Sequence, residues 1–166
     1  MPFKIDTSYK KWAENILTEG KHTKKENRAR VSINNSDFFY IFFMVGVAFG
    51  KTSKLASDNT DVGSGKNYSQ PYVNYKDLLA TILILSESTL SGFKTESQIK
   101  GVLESYIDTD NETHLTTKAE NLMNTYVQSG FEYLKAKLNK PIDANNFLLD
   151  TYKEIEKLFD KNEDWK

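Results

Sequence analysis

A chain of 166 residues with a formal net charge of −1 is most simply one domain, long enough to bury roughly two thirds of the surface its unfolded form exposes. It has no cysteine, which excludes disulfides, thiolate zinc sites and a cysteine nucleophile. Its only histidines, His22 and His114, lie far apart in sequence, which excludes a multi-histidine metal site within one chain.

The amino terminus, MPFKIDTSYKKW, has no apolar core of the kind a secretory signal needs, so the cytoplasm is the expected compartment. Without such a signal the sequons at Asn34, Asn67 and Asn111 carry no weight. Tyr9, Trp12, Ala13, Ile16 and Leu17 recur at helical spacing, and Gly20 ends that pattern. The basic stretch KHTKKENRAR comes next. Residues 1–30 carry eight Lys or Arg against four Asp or Glu, whereas residues 143–166 carry four against seven. The chain is therefore basic at one end and acidic at the other.

Phe38 to Phe49 read FFYIFFMVGVAF, without one charged side chain. A bilayer span needs about 20 apolar residues, so this shorter run predicts a helix buried on all sides. Ser36 and Asp37 are its N-cap candidates, and Gly50 stands where a left-handed C-cap belongs. From Lys51 the chain turns to Ser, Asn, Asp and Gly, with Pro71 behind. A flexible loop is expected over about 51–72.

Helical spacing resumes at Tyr75, Leu78, Leu79, Ile82, Leu83 and Leu85, with Asn74 as a cap candidate. Thr95 and Gln98 form a capping-box pattern ahead of Ile99, Val102, Leu103, Tyr106 and Ile107. After DTDNETH, the longest periodic segment runs from Leu115 through Ala119, Leu122, Met123, Tyr126, Val127, Phe131 and Leu134 to Leu138. Pro141 and Asp143 break the pattern before Phe147, Leu148, Tyr152, Ile155 and Phe159. Nowhere does apolar–polar alternation argue for a strand. The expectation is an all-α fold, residues 1–166 as a single-domain bundle of five or six helices around a buried central apolar helix.

Few residues offer chemistry. Gly50, Lys51 and Thr52 resemble the end of a phosphate-binding loop, but only three residues separate Gly46 from Gly50 where the motif needs four. The order is also reversed, since a helix precedes the loop. Asp58 and Asp61, and then Asp108, Asp110 and Glu112, fail the calcium-loop register, which needs Gly at the sixth position and Glu at the twelfth. Gly46 and Gly130 fall inside helical patterns, where glycine costs about 1 kcal/mol relative to alanine. The expected reason is close approach of a neighbouring helix.

The basic stretch is the candidate binding site. Lys21, Lys24, Lys25, Arg28 and Arg30 fall within ten residues, and Arg28 and Arg30 are the only arginines in the chain. Arginine's planar fork suits phosphate and carboxylate. If the stretch is helical, Lys21, Lys24, Lys25 and Arg28 share a face and could displace several counterions from DNA. The competing reading is a solvated connector that keeps the edge of a very apolar helix soluble.

Two blocks resemble a family. SDFFYIFFMVGVAFGKTSKL follows an Arg-x-Arg lead-in, and ENLMNTYVQSGFEYLKAKL carries a Tyr-x-x-x-Gly-hydrophobic-x-x-Leu pattern. Together, across most of residues 28–160, they resemble the small helical accessory proteins encoded beside bacterial DNA-phosphorothioation (Dnd-type) defence genes. The chain departs from that pattern at Val127-Gln128-Ser129, where the family reads Ala-Asn-Gly. The resemblance implies a non-catalytic member of an anti-phage or DNA-restriction system, with no catalytic residue, metal or cofactor. Its partners would be a larger protein encoded by a neighbouring defence gene and double-stranded DNA, with no membrane. The alternative is a stand-alone nucleic-acid-binding regulator using residues 21–30. A small enzyme built on Asp108 and Asp110 ranks third, because carboxylates alone do not specify a reaction.

Overall fold

The computed structural model describes residues 3–19, 33–62, 68–69, 72–90, 92 and 95–161. Seven helices dominate them: α1 (Tyr9–Trp12), α2 (Glu14–Glu19), α3 (Asn35–Phe49), α4 (Lys76–Leu90), α5 (Glu96–Tyr106), α6 (Thr117–Lys137) and α7 (Ala144–Lys161). The chain is thus predominantly helical, as its periodicity predicts. The expected first helix is divided in two at Ala13, a turn residue whose N–H returns to Tyr9 O at 2.7 Å.

Two strands depart from the sequence expectation. β1 (Lys4–Asp6) and β2 (Asn59–Asp61) pair antiparallel, with Ile5 opposite Thr60. Three residues are too few to display an alternating pattern, and the two strands come from opposite sides of α3 in sequence. Phe3 and Ile5, two apart, both point into the core. β2 falls within the stretch expected to be a flexible loop. Its approach is tied to α6, since Ser53 N–H donates to Thr125 O at 3.1 Å.

The caps show how local chemistry sets the helix limits. α3 is capped by Asn34, one turn earlier than its apolar run. Asn34 Oδ1 accepts from Ser36 N and Asp37 N at 2.8 and 3.0 Å, and Asp37 Oδ2 accepts from Asn34 N at 2.9 Å. Asp37 is therefore the reciprocal partner in a capping box and not the cap itself. Gly50, at φ 67°, closes the helix in the left-handed conformation that glycine adopts freely. Its N–H donates to Gly46 O and Val47 O, so it is committed to α3 and not turned toward a phosphate. The Thr95–Gln98 capping box forms as its sequence pattern predicts.

α3 and α6 cross so closely that neither tolerates a Cβ at the crossing. A Cβ on Gly46 would lie 2.0 Å from Tyr126 O, and one on Gly130 would lie 1.8 Å from Phe42 O. Both glycines are there because backbone meets backbone. Aromatic rings fill the space around the crossing: Phe42 and Phe131 approach to 5.2 Å between centroids, and Trp12 contacts both of them and Phe147. α3 itself is buried on most of its circumference, and Met44, 40% exposed, marks its one open side.

Polar groups on the inner faces are largely matched. Tyr126 and Tyr106 both donate to Glu87, at 3.1 and 3.3 Å, which ties α4 to α6 and α5 through one carboxylate. Asn124 Oδ1 accepts from Lys4 N at 2.9 Å, joining α6 to β1. Tyr9 is fully buried, and its hydroxyl finds no partner among the described residues. Burial pushes that hydroxyl up to about 12.

Candidate interaction surface

Lys21, Lys24, Lys25, Arg28 and Arg30, the binding site expected from the sequence, lie outside the described residues. The other singled-out residues have clear places.

The acidic stretch 108–114 builds the turn between α5 and α6. Ile107 and Leu115 form an antiparallel bridge, and Asp108 N–H donates to His114 O at 3.1 Å. The Asp108 carboxylate accepts from Asp110 N at 3.1 Å. Thr113 Oγ1 donates to the buried Glu120 at 2.7 Å, and Asn111 Nδ2 donates to Leu115 O at 2.7 Å. His114 adopts φ 58°, a conformation uncommon outside glycine, and its Nδ1 meets Asp77 Oδ1 of α4 at 2.7 Å. These side chains shape and anchor a turn. Among the described residues, no group of three His, Asp or Glu side chains is positioned to hold a metal ion.

A cleft of about 560 Å³ opens where the C-terminal end of α3 meets α6 and α7, walled by Phe49, Tyr133, Ala136 and Leu158. Tyr133 donates to Glu154 Oε2 at 3.1 Å, and Lys157 holds Glu154 Oε1 at 2.5 Å. The Lys157 ammonium holds the Glu154 carboxyl below its ordinary value, aided by the Tyr133 hydroxyl. Lys51 sits 5.2 Å above the Phe49 ring and Lys137 5.9 Å above Tyr133. Cations suit these helix C-termini, where unpaired carbonyls leave partial negative charge. Glu132 on the same rim makes the cleft mixed in sign.

The outward faces are the more distinctive feature. α4 buries Leu79, Ala80, Leu83 and Ile84 on one side. On the opposite side Leu78 and Leu85, 55% and 59% exposed, flank the half-buried Ile82 at i, i+4, i+7. Thr81, Ser88 and Thr89 border this face, so it carries apolar side chains and little charge. On α5, Val102 and Tyr106 point inward while Ile99 and Leu103 remain exposed at the edge.

α7 departs from its expected pattern in a similar way. Of the apolar positions expected on it, Phe147 is buried and Ile155 half-buried, whereas Leu148, Tyr152 and Phe159 are exposed. The buried positions are Ala144, Phe147, Thr151, Glu154 and Leu158. The helix is rotated so that its strongest apolar stripe lies on the flank, with Tyr152 57% and Phe159 61% exposed. Two of the five buried positions are polar, Thr151 and Glu154, which is why spacing alone assigns the wrong face.

No helix among the described residues is long and apolar enough to cross a membrane. Comparison with protein-family models, with curated proteins and with solved structures gives no match for this chain.

Proposed function

We propose that this chain is a non-catalytic component of a bacterial DNA-defence system and acts by contact, presenting helix faces to a larger protein encoded beside it. In this reading the helices form one bundle organised around α3, working in the cytoplasm without a cofactor. One observation carries the contact reading: α4 is apolar on two opposite sides, and on one of them Leu78 and Leu85 stay exposed among the described residues. A helix that is apolar all round is normally buried all round. Leu78 and Leu85 therefore mark a face whose cover is another protein. The defence assignment is supported by the resemblance across residues 28–160.

A second mode has its own support. Arg28 and Arg30, with Lys21, Lys24 and Lys25, concentrate positive charge and all of the chain's arginine in ten residues. That concentration suits the phosphates of double-stranded DNA.

Co-expression with the neighbouring defence gene tests the first mode. The complex is expected to form with wild-type chain and to be lost when Leu78 and Leu85 are both changed to Glu. The purified chain is expected to show no nuclease, nucleotidase or transferase activity. Turnover that disappears in Asp108→Ala or Asp110→Ala would overturn the non-catalytic reading. For the second mode, changing Lys24, Lys25, Arg28 and Arg30 to Glu should abolish duplex binding. Absence of wild-type binding at about 50 mM salt, where phosphate contacts are strong, removes DNA as a partner.

A further inference from the structure

The cleft between the C-terminal end of α3, α6 and α7, about 560 Å³ in volume, has the size of a small-molecule site. Phe49, Tyr133 and Leu158 give it apolar walls, and the Phe49 and Tyr133 rings lie 4.8 Å apart between centroids. Two serines stand among them, Ser53 from the segment after α3 and Ser129 from α6. Ser129 is 2% exposed, and its hydroxyl has no hydrogen-bond partner among the described residues. Buried hydroxyls are normally paired. The cleft therefore offers a hydrogen bond that the chain itself does not use.

Charge is divided between the two flanks. Glu132 and Lys137 are the charged residues that line the cleft, and neither makes an ion pair among the described residues. Gln128 Nε2 donates to Glu132 Oε1 at 2.9 Å and fixes that carboxylate, while the Lys137 ammonium rests 5.9 Å from the Tyr133 ring centre. On α6 the two positions lie roughly 7.5 Å apart along the axis, on opposite sides of the line from Ser129 to Tyr133. An extended chain advances about 3.3–3.6 Å per residue, so two or three residues span that gap. We propose that the cleft binds a short peptide with free ends. Its ammonium meets Glu132, its carboxylate meets Lys137, its backbone amide meets the Ser53 and Ser129 hydroxyls, and an apolar side chain lies against Phe49, Tyr133 and Leu158. A single α-amino acid carries its charges on adjacent carbons, too close together to reach both flanks. A fatty carboxylate leaves Glu132 unmatched, and an alkylamine leaves Lys137 unmatched. No residue of this cleft lies on α4, so the inference stands apart from the contact reading above.

The test titrates the whole, isotope-labelled chain with the tripeptide Ala-Leu-Ala and follows backbone amide shifts by NMR. Shifts should centre on Ser129, Tyr133 and Lys137. The N-acetylated and C-amidated forms of the same peptide each lose one charge-assisted contact and should bind at least about tenfold more weakly. The probe 6-aminohexanoate has both charges but no central amide, and should also bind more weakly. Ser129→Ala removes a hydroxyl that holds nothing within the described chain. It should weaken the tripeptide and leave 6-aminohexanoate unchanged. Glu132→Gln should erase the difference between the free and acetylated peptides, and Lys137→Gln the difference between the free and amidated ones. Absence of shifts at about 10 mM tripeptide, a concentration that detects even millimolar binding, overturns the proposal. So do equal binding of the blocked peptides, shifts confined to another face, or hexanoate or hexylamine binding as tightly as the tripeptide. Leu78→Glu with Leu85→Glu should leave peptide binding intact, which separates a failure here from a failure of the α4 contact.

Discussion

The α3–α6 crossing carries two glycines inside helices and the α4–α5 pair carries one, and their surroundings are opposite. At Gly46 and Gly130 a Cβ would strike the backbone of the opposing helix, whereas at Gly101 nothing lies within 4 Å of the same added atom. At the crossing, the conformational cost of glycine is offset by a contact that no other residue permits. On α5 the cost stands alone. Apolar side chains divide in the same way. Those around the crossing are fully buried, while Leu78, Leu85, Ile99 and Leu103 face water. Among the described residues, the first region buries its aromatic rings within the chain, and the second leaves large apolar side chains exposed. Stability belongs to the first, and contact is assigned to the second.

The largest effects should come from substitutions at the crossing. Gly46→Ala and Gly130→Ala force backbone apart, at a cost near the upper end of overpacking, about 3 kcal/mol each. Gly101→Ala meets open space and should stabilise by about 1 kcal/mol, through helix propensity alone. Chemical denaturation of the three variants measures the contrast. Equal behaviour at all three positions would remove the close crossing from the account.

Glu87 comes next, because it links the two regions. Glu87→Ala leaves the hydroxyls of Tyr126 and Tyr106 without their acceptor, and an unsatisfied buried hydroxyl costs about 1–3 kcal/mol. Replacing Tyr126 by Phe in the same chain should recover part of that loss. A full double-mutant cycle reads the coupling directly.

A pH dependence should separate the regions further. Burial holds the hydroxyls of Tyr9, Tyr40, Tyr68 and Tyr126 above their ordinary value of 10.0, with Tyr9 at about 12. A raised folded-state value means that their contribution is intact below 10.0 and is lost as pH rises above it, through about 12 for Tyr9. Tyrosine ionisation followed by ultraviolet absorbance should therefore coincide with unfolding rather than precede it. Glu154 acts in the opposite direction and more weakly. Lys157 depresses its value below the ordinary 4.5, so its contribution is present above that pH and is lost as pH falls through the folded value. Glu154→Gln should flatten only this acid limb.

Much of the stable region was legible in the sequence, for reasons these residues make plain. Gly46 and Gly130 stand in otherwise strong helical patterns, and an interior glycine there has few explanations besides close approach. Gly50 and the Thr95–Gln98 box are local signals, decided by neighbours in sequence. Asn34 was missed because two better-placed polar residues follow it, and the reciprocal bond to Asp37 is a geometric fact. β1 and β2 were hidden because each is three residues long and its partner is distant. The outward surface was legible only in part. Leucine and isoleucine on opposite sides of α4 announce two apolar faces. On α7, however, Leu148, Tyr152 and Phe159 are expected in the core while the fold buries the neighbouring face, with Thr151 and Glu154 included. Spacing gives the period of a helix, and its rotation comes from contacts far away in sequence.

Thermal unfolding of two paired variants on α4 tests the division between a stable core and an outward contact face most directly. Leu79→Ala with Leu83→Ala on the inner face should cost about 2–5 kcal/mol per site. In a chain of this size that lowers Tm by roughly 2–4 °C for each kcal/mol. Leu78→Ala with Leu85→Ala on the outer face should leave Tm within about 2 °C of wild type. A comparable fall for the outer pair would mean that the chain itself covers this face, and would contradict the assignment of α4 to contact with another protein.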